Sequence, residues 1–236
     1  YADLPEILKQ KKLPRADGLM VDLGFSSNQL EESGRGFSFL KDEPLLMTYD
    51  SNQTSVKDLI RKMSEVELAG VLKEFGEEKF AKQIARAVKG AKKPIETTGE
   101  LARIVREVVP KNYERGRLNP ATRTFQALRI YANSELGNLE KLFGNLSLIL
   151  KSGGRAAIIS FHSLEDRLVK NYFKAMEKKN QLKILTKKPI VHNEWFLCFV
   201  QHLFWLAMLS KTYLKVLFVL WKLIFYRILV YFEIYN

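Results

Sequence analysis

The chain has 236 residues, 47% of them hydrophobic, enough to bury a sizeable core in one or two domains. With 38 Lys and Arg against 26 Asp and Glu, its net charge of +12 points to a polyanionic partner, nucleic acid before membrane, or else to a basic enzyme with a solvated surface. The single cysteine, Cys198, excludes a disulfide framework and a multi-cysteine zinc site, and only three histidines, His162, His192 and His202, argue against a histidine-rich metal centre.

The chain opens at Tyr1 in what reads as a helix, Leu4 to Lys11, without a secretory signal. The stretch D-G-L-M-V-D-L-G-F-S-S-N-Q-L, Asp17 to Leu30, follows. Leu19, Met20 and Val21 are the short apolar run of a buried parallel strand, Gly18 to Leu23, and Asp22 stands where the run stops. In open α/β sheets ligands bind at that end of a strand. A glycine-bearing loop, E-S-G-R-G-F-S-F, leads to a turn at Asp42 to Pro44. Val56, Leu59, Ile60 and Met63 then recur at helical spacing, and Ser64 with Glu67 forms a capping box for the next helix. Phe80, Ile84 and Val88 make a third stripe, stopping before A-K-K-P. Thr97 with Glu100 caps a fourth helix carrying Leu101, Ile104, Val105 and Val108 up to Pro110. Residues 51 to 110 thus read as a compact helical unit.

Asn119-Pro120 offers an N-cap and a first-turn proline for a long helix with Phe125, Leu128, Ala132, Leu136 and Leu139 on its buried face. A bend near Gly137 or Gly144 and an end at Gly153-Gly154 are expected, followed by a second buried strand, R-A-A-I-I-S-F. Ser163 is read as the cap of the next helix, Leu164 to about Lys178, and L-K-I-L-T as a third strand. This order fits a parallel α/β sheet interrupted by a helical insertion. Its first two strands end alike, in V-D-L-G-F-S-S and I-I-S-F-H-S-L-E-D-R, and bring hydroxyls and carboxylates to one sheet edge. Each residue also has a plainer use: Asp22 as a turn former, Ser160, His162 and Glu165 as parts of a helix cap, and His162 as a core histidine.

Composition changes sharply near residue 194. From Trp195 to Asn236, 32 of 42 residues are apolar, and all three tryptophans and the cysteine lie there. The longest uncharged run, Trp195 to Ser210, has 16 residues, short of the ~20 that a spanning helix needs. A membrane anchor, a basic membrane-surface helix, or a sequence that has left its proper reading frame or splice pattern are the options for this tail.

Five runs carry a family resemblance: D-G-L-M-V-D-L-G-F-S-S-N-Q-L, G-R-G-F-S-F, F-G-E-E-K-F-A-K-Q-I-A-R-A, N-P-A-T-R-T-F-Q-A-L-R-I-Y-A-N-S-E-L and G-G-R-A-A-I-I-S-F-H-S-L-E-D-R-L-V-K, with T-K-K-P-I after them. Over roughly residues 1 to 190 the chain resembles the RsmH (MraW) family of S-adenosylmethionine-dependent methyltransferases. These act on a cytosine N4 of small-subunit (16S) ribosomal RNA near the decoding site. The resemblance implies a Rossmann-like methyltransferase α/β domain in residues 1–35 and 119–190. A helical insertion for substrate or RNA binding falls in 36–118, and 191–236 is an atypical hydrophobic tail. It implies that Asp22 and Gln29 contact S-adenosyl-L-methionine, with Asp22 also a candidate for facing the target base. Ser26, Ser27, Ser160 and His162 are weaker candidates for lining the cytosine pocket, and Arg123, inside N-P-A-T-R-T-F, for a local structural or substrate role. No metal or covalent nucleophile is called for. Lys89, Lys92, Lys93, Arg103, Arg106, Lys111, Arg115, Arg117, Arg123 and Arg129 could hold RNA phosphates or simply solubilise helix surfaces. Phe37 or Phe39 could stack on a base or pack in the core.

Three departures qualify the match. The family's glycine-rich cofactor turn is expected upstream of Tyr1, so the chain reads as a fragment with Leu19 to Val21 and Ile158 to Phe161 poorly covered. E-P-L-L-M-T-Y-D stands where the family usually has a G-P-L-D-M-R-M-D type segment, so Leu46 and Thr48 lack an acid and a base, predicting weaker substrate contacts or loop order. The tail replaces the family's polar end. The resemblance further implies a small-subunit ribosomal RNA partner and a bacterial cytoplasmic or organellar location. It leaves open a homodimer, a membrane contact by the tail, and the alternative of a non-catalytic RNA-binding or membrane-tethered remnant.

Overall fold

The computed structural model describes residues 1–24, 34–113, 119–186, 190–191 and 228–234. They divide into two compact units, Tyr1–Gly24 with Leu136–Asn236, and Phe25–Glu135. Each has its own apolar core.

In the first unit, α1 (Leu4–Gln10) precedes β1 (Ala16–Asp22). Later in the chain come α7 (Glu135–Gly144), α8 (Leu146–Ile149), β2 (Leu150–Ser160), α9 (Ser163–Lys178), β3 (Leu182–Ile184), β4 (Ile190–Val191) and β5 (Ile228–Ile234). β1 pairs parallel to β2, with Val21 opposite Ile158 and Asp22 opposite Ile159. The expected all-parallel order is corrected at the next position. β5, from the hydrophobic tail, lies antiparallel between β2 and β3 and also pairs with β4, so the sheet order is β1-β2-β5-β3. With neighbours on both sides, Ile158, Ile159 and Ser160 are buried rather than poorly covered. β1 has only one neighbour among the described strands, and Leu19 and Met20 stay half-buried while Val21 is buried. Tyr172 of α9 stacks on Phe143 of α7 at 4.6 Å and donates its hydroxyl to the Phe143 carbonyl at 2.6 Å, pinning both helices beneath the sheet's apolar residues.

The glycines at 153 and 154 do not end a helix. The helix stops at Ile149, and β2 starts at Leu150 and then loops out, its register jumping from Ala16↔Leu150 to Gly18↔Arg155. Gly153 takes φ +74, and a Cβ at Gly154 would lie 2.8 Å from the Lys151 carbonyl oxygen, so this bulge needs small residues.

The second unit is helical: α2 (Val56–Lys62), α3 (Glu65–Gly76), α4 (Ala81–Lys89), α5 (Thr98–Val108) and α6 (Thr122–Ala132). The two capping boxes expected from sequence are present: the Ser64 and Thr97 hydroxyls accept from the amides of Glu67 and Glu100, whose carboxylates accept in return. Asn119-Pro120 lies one turn ahead of the helix instead of capping it. The Asn119 side chain accepts from the Ala121 amide at 2.9 Å, and Ala121 is the N-cap. The expected single long helix breaks at Asn133 and Ser134, where Ser134 takes φ +49. Asn133 is drawn away from helical continuation because its side chain donates to the Met47 carbonyl at 2.8 Å and accepts from the Tyr49 amide at 2.8 Å. These bonds also hold the departing segment around Leu46 and Thr48. Leu45, Met47 and Thr48 are buried there, so the segment is built into the core.

α3 and α6 approach closely at Gly76, where an added Cβ would meet the Arg123 carbonyl oxygen at 2.6 Å. Alanine gains about 1 kcal/mol over glycine in helix propensity, but a backbone clash of this kind costs about 1–3 kcal/mol. Gly76→Ala is therefore expected to lower the urea midpoint. An unchanged or raised midpoint would mean that the two helices can part freely.

Candidate cofactor edge of the sheet

Because β1 and β2 are parallel neighbours, their carboxyl ends open onto the same edge. The ladder continues one residue beyond β1, where the Leu23 amide donates to the Ile159 carbonyl at 3.0 Å. Asp22 ends β1 with Oδ1 buried. Gly24 then turns the chain with φ +92, a conformation that side chains disfavour, and a Cβ there would touch the Phe161 ring at 3.5 Å. This links the turn after β1 to the turn after β2.

On the β2 side, Ser160 is buried and Phe161 leads into α9. The cap of that helix is His162 and not Ser163. His162 has extended backbone (φ −143, ψ 165), and its Nδ1 accepts from the Glu165 amide at 3.4 Å. His162 Nε2 lies 3.3 Å from Glu165 Oε1 without hydrogen-bond geometry. Glu165 Oε2 accepts from the Phe161 amide at 2.9 Å. The His162 ring thus caps α9 through Nδ1, while the Glu165 carboxylate reaches back past the cap to the Phe161 amide. Their side chains are 11% and 4% exposed, so this contact is shielded from water. A Ser-x-x-Asp pattern at Ser163 masked it in the sequence; the signal that could have found it is Glu165 three residues after His162.

The other sequence candidates fall elsewhere. Gln29, Ser26 and Ser27 lie outside the described residues. Arg123 belongs to the helical unit, where its Nη1 donates to the Gly76 carbonyl at 3.3 Å and satisfies the end of α3. Arg129, open between holding phosphates and solubilising a helix surface, has its side chain 12% exposed and engaged within the unit. It makes a two-pronged ion pair with Glu135, 2.9 Å from Nε to Oε1 and 3.0 Å from Nη2 to Oε2, and Tyr49 donates to Oε1 at 2.8 Å. Phe37 and Phe39 both pack in the core, stacked on Tyr49 at 5.4 Å and edge-on to Phe125 at 5.2 Å. Also unread in the sequence was Glu78, a buried carboxylate that accepts from the Tyr113 hydroxyl at 2.7 Å and the Phe80 amide at 2.9 Å.

A profile of the MraW methylase family matches residues 1–195. The chain belongs to the MraW methylase family. It is 45% identical to a ribosomal RNA small subunit methyltransferase H of Syntrophus aciditrophicus, over 80% of this chain and 66% of that protein. It is 41% identical to its counterpart in Clostridioides difficile (82% of this chain, 68% of that protein) and 46% identical to the one in Synechocystis (82% and 61%). The chain therefore spans 61–68% of the length of these three curated relatives. The MraW match ends at residue 195, close to the change in composition, and β5 lies beyond it. No helix among the described residues is long and apolar enough to cross a membrane, and the Trp195 to Ser210 run lies outside them.

The MraW methylase edge gives a direct test of the cap. Glu165→Ala strands the Phe161 amide and should lower the urea midpoint by the equivalent of about 1–3 kcal/mol. Glu165→Gln keeps an acceptor oxygen and should cost less; equal losses would mean that Glu165 acts through its charge alone.

Proposed function

We propose that this chain is the main part of an S-adenosylmethionine-dependent methyltransferase that modifies the N4 amine of a cytidine in small-subunit ribosomal RNA near the decoding site, in the bacterial cytoplasm or an organelle. The observation that carries the reading is the shared carboxyl edge of β1 and β2, with Asp22 at its centre, in a chain of the MraW methylase family. The proposed architecture is a Rossmann-like sheet, open to further strands along β1, with the helical unit as an inserted RNA-binding domain.

The residues fit the cofactor in kind. A half-buried strand-end carboxylate with Oδ1 turned away from solvent can accept hydrogen bonds from an amine or hydroxyl, and Gly24 removes a side chain from the turn beside it. Gln29, offering an amide donor and acceptor, is proposed as a second contact. S-adenosylmethionine, when bound, supplies a methyl group on a sulfonium.

What remains for the protein is alignment. The cytosine amine is a weak nucleophile because its lone pair is delocalised into the ring, so it must be held in line with the methyl group. An oxygen accepting the N–H hydrogens raises the electron density on the nitrogen. Asp22 is the proposed acceptor, and Ser26, Ser27 and Ser160 are proposed to line the base pocket. His162, whose Nδ1 caps α9, is proposed to line the pocket with them.

The test is methyl transfer from labelled S-adenosylmethionine to small subunits, with the modified nucleoside identified by mass spectrometry. The protein is this chain extended at Tyr1 by the glycine-rich segment that the family resemblance implies. We expect N4-methylcytidine, reduced at least 100-fold in kcat/KM by Asp22→Ala, on the scale of a lost positioning contact. No product from the folded, extended protein would favour the non-catalytic RNA-binding remnant.

A further inference from the structure

The helical unit contains a cavity of about 270 Å³ between the last turn of α2, the end of α4 and the A-K-K-P-I segment that follows. Its floor is apolar, formed by Ile60, Val88 and Ile95, all buried. Its walls carry five cations: Lys57, Arg61, Lys89, Lys92 and Lys93. Among the described residues the carboxylates of Glu96, Asp58 and Glu67 oppose them, Glu67 through the nearby charge of Lys89. Glu96 lies 2.9 Å from Lys57 Nζ and 2.6 Å from Arg61 Nη2, and Asp58 lies 3.5 Å from Arg61 Nη1.

Several of these cations are fixed in place. Lys89 reaches across the cleft to donate from Nζ to the carbonyls of Ile60 at 3.0 Å and Arg61 at 3.2 Å, satisfying acceptors at the end of α2. The Glu96 carboxyl is held below the ordinary carboxylate range, first by its hydrogen bond from Lys57 and then by the nearby Lys57 and Arg61 charges, so it stays ionised as the clamp. Lys92 and Lys93 are exposed at the mouth. A solvated lysine face needs no recessed apolar floor and no cross-braced cations. A rim with excess positive charge around an apolar floor suits one phosphodiester of an RNA strand, its phosphate on the lysines and its ribose or base face on the aliphatic groups.

We infer that the cleft between α2, α4 and Ala91–Ile95 is a phosphate-binding site for the RNA substrate, with Lys92 and Lys93 as its principal phosphate ligands. This rests on the reading of the protein as an RNA methyltransferase, and it locates where on the helical unit the RNA backbone is gripped.

The test is fluorescence anisotropy with a labelled single-stranded RNA covering a small-subunit helix-loop sequence, titrated with the full chain at several salt concentrations. The variants are Lys92→Gln/Lys93→Gln and, as a control with the same charge loss, Lys9→Gln/Lys11→Gln at the exposed end of α1. Two lost phosphate contacts should reduce the slope of log K against log salt by about 1.4 and weaken binding on the order of tenfold near 0.1 M salt. The control pair should change either quantity much less, and 4-thiouridine cross-links in the wild type should map to the segment around Ala91–Ile95. Equal losses in both double variants, or unchanged binding in Lys92→Gln/Lys93→Gln, would overturn the cleft while leaving the RNA reading in place. Absence of RNA binding by the wild-type chain would overturn the cleft and the RNA reading together.

Discussion

The parallel pairing of β1 with β2 is the constraint on which the rest of the structure depends. Parallel neighbours cannot be joined by a tight turn and need a crossover connection, and here that connection contains the entire helical unit between Gly24 and Leu136. The pairing sets Asp22 beside Ile159 and makes the turns at Gly24 and Phe161 neighbours. A one-residue slip would reverse the faces of Val21 and Asp22, taking Val21 out of the core. The bulge at residues 151–154 absorbs the mismatch at the other end of the pair, so the register is correct where the carboxyl ends meet.

Charge is put to two uses in the helical unit. Arg123 and Arg129 are absorbed by the architecture, one on the Gly76 carbonyl and the other on Glu135. The Arg129–Glu135 pair is 12% and 7% exposed, so its bidentate geometry and the additional Tyr49 hydrogen bond are what offset the desolvation of two charges. Lys92 and Lys93, in contrast, are exposed beside an apolar cleft. Net charge alone could not separate these groups, because the distinction lies in which partners the fold brings within reach.

Features governed by local chemistry were legible in the sequence. The Ser64–Glu67 and Thr97–Glu100 boxes need only residues three apart, and β1 announced itself by an apolar run ending in a carboxylate. Features governed by distant partners were not. The break after Ala132 depends on Met47 and Tyr49, more than eighty positions away along the chain, and no glycine or proline marks it. The antiparallel β5 was hidden for a similar reason, since a largely apolar tail does not reveal the strand it will pair with. At the candidate edge, Asp22 and Ser160 were visible as strand ends, whereas the role of His162 as a cap emerged only once its Nδ1 could be seen accepting from the Glu165 amide.

The central claim is that the edge holding Asp22 binds S-adenosylmethionine. The most direct measurement is a calorimetric titration of S-adenosylmethionine into the extended chain and into its Asp22→Ala variant, with circular dichroism verifying that both are folded. The account predicts saturable one-to-one binding, weakened at least tenfold by the substitution, a loss of about 1.4 kcal/mol or more. Equal affinity in the two proteins would contradict it and move the cofactor away from this edge of the sheet.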